Sequence, residues 1–243
     1  MKVIVSCVAI GGWYPRGAER LRESLKKYAP GVELQAWIDE YPPGAPGAHF
    51  VNGWDYGPYM AKPFAVLHAL RTQDCDIVIQ IDAAFYATRD IQPLVDYIAK
   101  NGYYACNNGA IMGEWTSDAA LHKMNITRET SFVIPEITTY AIGLNRRNAK
   151  SIMFARLWAD AARNYGAFAG PHTAGSPFAE GVRNSGFVSN DSRVKGFRHD
   201  QTWASYFMWK LGMDGINRPL FTAYKAGFGD LPNETTVFEN EGM

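Results

Sequence analysis

The sequence predicts an α/β fold, a single domain with a mixed, mostly parallel central sheet flanked by helices. Strand-like apolar runs alternate with amphipathic stretches through the first half of the chain, the pattern of strands joined by crossover helices. Residues 77–81, IVIQI, are apolar at every position but Gln80, as a central strand buried on both faces requires. Gly-Gly and Pro-Gly pairs end the runs where the backbone must turn.

Each element follows in order. Residues 2–10 are a β-branched apolar run ending at Gly11-Gly12, a first strand whose apolar part is too short for a signal peptide of the usual form. Residues 17–28 predict a helix with Leu21, Leu25 and Tyr28 on one stripe, stopped by Pro30-Gly31. A second strand covers 32–38, and 41–58, rich in Pro and Gly, reads as loop. A helix over 60–72 carries Phe64, Leu67 and Leu70 on one face. Then come a strand at 76–81, a helix at 91–100 and a strand at 103–111. The second half is less regular: a short helix at 117–124, a strand at 138–144 and the longest helix at 148–165. Residues 166–196 have Gly, Pro, Ser and Asn without a period, which predicts a long mobile loop over an active site. An aromatic helix spans 200–211; the domain runs over 1–226, and 227–243 read as a peripheral C-terminal tail.

With 243 residues the chain can bury a sizeable core, and 47% hydrophobic against 20% charged residues is a globular composition. Lys plus Arg equals Asp plus Glu, 24 of each, so nothing in the balance forecasts a general polyanion binder. The three cysteines, Cys7, Cys75 and Cys106, are odd in number and two sit in or beside apolar runs. They read as buried free thiols of a reducing, cytoplasmic compartment. No apolar run approaches the ~20 residues of a membrane span.

In an open α/β sheet, ligands bind beyond the C-terminal strand ends. Three stretches gather there. In AIGGWYPRGAERL, Gly11 and its neighbour allow close backbone approach, Trp13 or Tyr14 offers a stacking face, and Arg16 and Arg20 offer phosphate contacts. A tight strand-to-helix turn with surface arginines explains the same residues equally well. In YMAKPFAVLHAL, Lys62 stands at a helix start where the dipole favours an anion, though alone it reads more simply as a solvated lysine. In IDAAFYATRDI, Asp82 is delivered by the apolar strand, and Ala84 stands two residues on. Histidines 49, 68 and 122 do not cluster, so no zinc site is indicated.

Taken in order, GGWYPRGAERLRESL, AKPFAVLHAL, VIQIDAAFYATRDIQPL and FRHDQTWASYFMWKLGM resemble the GT-A (Rossmann-like) class of nucleotide-sugar glycosyltransferases. The likeness is to small bacterial or phage-type members, distantly similar to the glycogenin and lipopolysaccharide galactosyltransferase group, and it covers roughly residues 2 to 215. It implies an enzyme moving a sugar from a nucleotide-diphosphate donor to a hydroxyl of a glycan, protein or modified nucleobase. By resemblance, Asp82 is the first carboxylate of a DxD element, and Ala84 departs from it at the second, metal-binding position. Gly11, Trp13, Tyr14, Arg16, Lys62, Asp82 and Arg198 then line the donor. A divalent Mn or Mg would rest on Asp82 and His199, or Arg16, Lys62, Lys195 and Arg198 would supply the charge without a metal. Asp200, then Glu136, are the candidate bases of an inverting enzyme, with Asp200 also explained as a helix cap. Gln201 would serve a retaining one. The alternative is a GT-A-like protein that binds nucleotide sugars or glycans without turnover.

Overall fold

The computed structural model describes residues 1–51, 54–164, 168, 188–217, 220–224 and 234–240. Its centre is a six-stranded mixed sheet in the order β2-β1-β5-β8-β7-β9. The strands are β1 (Val3–Ala9), β2 (Glu33–Ile38), β5 (Ile77–Ile81), β7 (Tyr103–Ile111), β8 (Pro135–Asn145) and β9 (Ile216–Asn217). The β2-β1, β1-β5 and β7-β9 pairings are parallel, and β8 runs antiparallel to both neighbours. β1 and β5 are buried at every position, so their continuous apolar runs are what a sheet covered on both faces demands.

Helices cover the two faces. α1 (Tyr14–Tyr28) and α3 (Gln92–Asn101) bury Leu21, Leu25, Leu94 and Ile98 against one face. The other face is covered by α2 (Gly57–Thr72), α6 (Ala149–Ala162) and α7 (Asp200–Lys210), through Phe64, Leu67, Phe154, Trp158 and Trp203. The short α4 (Asp118–Met124) and α5 (Arg128–Ser131) start on Ser117 and Thr127, whose hydroxyls accept from Ala120 N and Thr130 N. A single-turn 3-10 helix, Met112–Trp115, precedes them. Among the described residues no helix is long and apolar enough to cross a membrane.

Several elements differ from expectation. α1 begins at Tyr14, with Pro15 in its first turn, and α2 begins at Gly57, so Lys62 lies in the second turn rather than at the helix start. Asp55 fixes that start by accepting from Gly57 N (2.8 Å) and His49 N (2.7 Å). The expected loop at 41–58 contains a short hairpin, β3 (Phe50–Val51) with β4 (Trp54–Asp55). α2, not α6, is the longest described helix. β8 starts three residues earlier than the expected 138. Most of the expected 166–196 loop lies outside the described residues; the end that is described, 188–196, is held by Lys195 N to Glu114 O (2.6 Å) and Asp118 N to Val188 O (3.0 Å).

The expected C-terminal tail is not peripheral where it is described. β11 (Phe238–Asn240) is the middle strand of a second sheet, between β10 (Thr222–Tyr224) and β6 (Phe85–Ala87), and Val237 and Phe238 are fully buried. This small sheet packs behind the turn that follows β5, because β6 leaves that turn directly. On its other side the turn meets α1 at Gly17, where a Cβ would stand 2.1 Å from Ala83 O. Gly17→Ala is expected to cost about 1–3 kcal/mol through that overlap, despite alanine's helix propensity. Urea denaturation of the variant checks it, and unchanged stability would show that the α1 contact is not tight.

Candidate active site

The crevice between the C-terminal ends of β1 and β5 is where the sheet changes direction. From β1 the chain crosses by α1 on one face to β2; it returns by α2 on the other face to β5, on the opposite side of β1. Such a switch point leaves a gap beyond the strand ends. Gly11 and Gly12 occupy it from β1 with φ of +74° and +53°, a region that favours glycine, and Gly11 N donates to Asp39 Oδ1 at 2.8 Å.

Asp82 enters from β5. Its N–H donates to Tyr140 O (2.9 Å), and its carbonyl accepts from Phe85 N (2.9 Å), closing a turn over Asp82-Ala83-Ala84-Phe85. Arg20 holds the outside of this turn, Nη2 to Ala84 O at 2.7 Å, with its guanidinium 4.6 Å from the Tyr86 ring centre. Lys62 reaches the turn from α2: Nζ lies 2.8 Å from Asp82 Oδ1 and 3.1 Å from Asp200 Oδ2. Asp200 also accepts from Thr139 Oγ1 at 2.7 Å. One ammonium therefore joins carboxylates that follow β5 and open α7.

The three charged side chains differ in openness. Asp200 is 4% exposed, Lys62 12% and Asp82 27%, so the crevice opens on the Asp82 side. Burial alone would push Lys62 down, but Asp200 and Asp82 outweigh it and hold the ammonium above its ordinary range. Burial against the strand ends pushes Asp82 up, with Lys62 and the Gln80 amide opposing. Tyr14 and Tyr59 wall the site, and their phenols are raised by burial first, then by the carboxylates. Beneath it, burial and then Asp82 push the Cys7 thiol up to about 12. Behind Asp82, Ser6 and Gln80 face each other across β1 and β5; Ser6 Oγ and Gln80 Oε1 are buried without a hydrogen-bond partner among the described residues. Unmet buried oxygens cost about 1–3 kcal/mol each, a polar burden in an otherwise apolar sheet.

α7 is aimed by a strained residue. His199 precedes it with φ +44° and ψ −107°, unfavourable for a residue with a Cβ. The ring is fixed among Tyr56, Tyr59 and Phe197, with centroids 5.0, 4.8 and 5.0 Å away, and Nδ1 lies 2.7 Å from Phe168 O. Trp158 Nε1 donates to Asp200 O at 3.1 Å. His199 thus orients Asp200.

The expected residues fall into four groups. Lys62, Asp82, Asp200 and Gln201 come together, Gln201 Oε1 accepting from Thr139 N at 3.4 Å. Lys62 is not a solvated lysine, and Asp200 is not a cap, since its carboxylate turns to Lys62 and Thr139. Gly11, Trp13, Tyr14 and Arg16 stand at the rim: Trp13 and Tyr14 stack on each other at 4.3 Å, Tyr14 is 41% exposed and Arg16 is exposed. Arg198 stacks on Trp115 at 4.0 Å, and Lys195 pairs with Glu114 at 3.0 Å, so both are engaged beside the 3-10 helix. Glu136 is apart: it is buried inside β8, where alternation sets it opposite Ile137, which packs with α7. Thr139, Gln80, Tyr56 and Tyr59 carried no sequence signal of their own; Tyr59 lies one helical turn from Lys62, a spacing that could have suggested it.

A divalent ion does not fit this donor set. Among the described residues no group of three or more His, Cys, Asp or Glu side chains comes together to hold one. Ala84 offers only its carbonyl, which Arg20 holds, and the Asp82 oxygen faces an ammonium. His199 Nδ1 is committed to a carbonyl.

No protein-family model and no curated protein matches the chain.

Removing Lys62 leaves two crowded carboxylates without their counter-charge. Lys62→Ala is expected to lose about 3–5 kcal/mol, the scale of a broken buried pair. Chemical denaturation measures it. The pH dependence has a definite sign. Because the folded protein raises Lys62 above its ordinary 10.5, its contribution is complete below about pH 10.5 and lost as pH climbs through the folded value. The stability gap between wild type and Lys62→Ala should therefore not shrink between pH 7 and 9; a gap that closes there would mean the ammonium is not held by these carboxylates.

Proposed function

We propose that the protein is a glycosyltransferase that moves a sugar from a nucleoside-diphosphate donor to a hydroxyl acceptor. The observation that carries this reading is the Lys62 ammonium between Asp82 and Asp200, set in the crevice at the switch point between β1 and β5. Structural ion pairs do not need such a place, whereas ligands of open α/β sheets use it. The motif order described above and the glycines and stacked aromatics at the rim support it.

The roles follow from position. The Tyr14–Trp13 face takes the nucleotide base, and the Gly11-Gly12 backbone lets the donor approach closely. Lys62 meets the diphosphate and stabilises the charge that grows on the leaving oxygen. As the bond from the sugar's anomeric carbon to phosphate breaks, its electron pair leaves with the nucleoside diphosphate. The acceptor oxygen forms the new bond and gives up its proton. Asp200 is the candidate to receive that proton in an inverting reaction, for which it would have to turn from Lys62 toward the acceptor, and Gln201 beside Thr139 is the polar group available to a retaining one. A glycan, a protein hydroxyl or a modified nucleobase fits this chemistry as acceptor.

A thermal-shift panel of UDP-, GDP-, CMP- and TDP-sugars tests the reading. One base class, at about a hundredfold over its Kd, should raise Tm by roughly 5–10 °C. The same donor should be hydrolysed slowly, and Asp82→Ala should abolish that hydrolysis. Binding without turnover toward any acceptor would favour a non-catalytic nucleotide-sugar binder. No response to any nucleotide would overturn the proposal.

A further inference from the structure

We infer that Lys62 is an internal substitute for a divalent cation: its ammonium supplies from within the chain the positive charge at this crevice, and the donor is taken without a metal ion. The first half stands on geometry alone; the second rests on the transferase reading above.

Three observations carry it. The ammonium occupies the ground between the two carboxylates, 2.8 Å from Asp82 Oδ1 and 3.1 Å from Asp200 Oδ2. A divalent ion there would need those same oxygens and would stand against a buried like charge, which is repulsive at short range in a poorly screened site. The residues around the pair are committed elsewhere. Ala84 O is held by Arg20, His199 Nδ1 by Phe168 O, and Thr139 Oγ1 by Asp200. A hard cation such as Mn or Mg at a nucleotide site rests on one or two carboxylates, with phosphate oxygens and waters completing its shell, and both carboxylates here already hold the ammonium. Finally, the two contacts are unequal in access. Asp82 is the open partner and Asp200 the closed one, so an anion entering the crevice meets the ammonium from the Asp82 side while Asp200 keeps it in place.

A consequence follows for the altered protein. Without the ammonium, Asp82 and Asp200 form an uncompensated pair aimed at one point. Lys62→Gln keeps a polar side chain, one atom shorter, and removes its charge, so it should create the divalent site that wild type does not have. The experiment is a Mn titration of the full chain, reading bound Mn by EPR and stability by Tm, after circular dichroism shows the variant folded. Wild type should bind no Mn up to about millimolar concentration, and Lys62→Gln should bind it at least tenfold more tightly and gain Tm with it. Mn binding by wild type that is lost in Asp82→Asn would overturn the inference, as would a Lys62→Gln protein that gains no Mn affinity. If Lys62→Gln does not fold with or without Mn, the wild-type titration decides. The second arm repeats the responding nucleotide sugar in EDTA and in Mn. Equal Kd within about twofold supports metal-free donor binding. Tenfold tighter binding in Mn overturns it while leaving the transferase reading intact. A failure to bind in both conditions overturns the transferase reading and leaves the Mn titration to judge Lys62.

Discussion

The Lys62 ammonium is the constraint around which the rest of the crevice is arranged. It joins three parts of the chain that are remote in sequence: α2, the turn after β5 and the start of α7. Taking three charges largely out of water costs several kcal/mol per ion before any attraction is counted. Apolar side chains of similar volume would fill the same space at little or no loss. A sheet that needed only stability has no use for this group. Its place at the open end of parallel strands therefore argues for work on a ligand.

The surrounding fold holds that group in register from two sides. Arg20 and the close contact at Gly17 press α1 onto the Asp82 turn, and β6 carries the far end of the turn into the second sheet. On the other side, His199 keeps a strained backbone so that α7 can begin with Asp200 against Thr139. Strain of about 1–3 kcal/mol persists only where packing overdetermines it. The ring cage of Tyr56, Tyr59 and Phe197 does this. Tyr59 belongs to the cage and to the wall beside Lys62, so the conformation of α7 and the ammonium are physically linked.

Much of this arrangement was legible in the sequence, for local reasons. IVIQI could only be a central strand, and an Asp at the end of it had to lie at the C-terminal edge. The stripes of α1 and α2 likewise read directly from spacing. The buried role of Lys62 was not legible, because its partners arrive from distant segments and a Lys-Pro step looks like a helix start. α2 in fact begins five residues earlier, where Asp55 accepts from Gly57 N. β6, β9, β10 and β11 are two or three residues each, too short to show a period, and they exist through pairing with remote strands. Glu136 looked like Asp200 in sequence, a carboxylate beside an apolar run. Only the alternation of β8 against α7 separates them.

A crystal structure of the protein with a nucleoside-diphosphate sugar, grown in the presence of a chelator, tests the account most directly. The expected result is a diphosphate oxygen about 2.7–3.2 Å from Lys62 Nζ, the base against Tyr14 and Trp13, and Asp200 still paired with the ammonium. A nucleotide seated away from the β1–β5 crevice, or one whose diphosphate leaves Lys62 untouched, would contradict it.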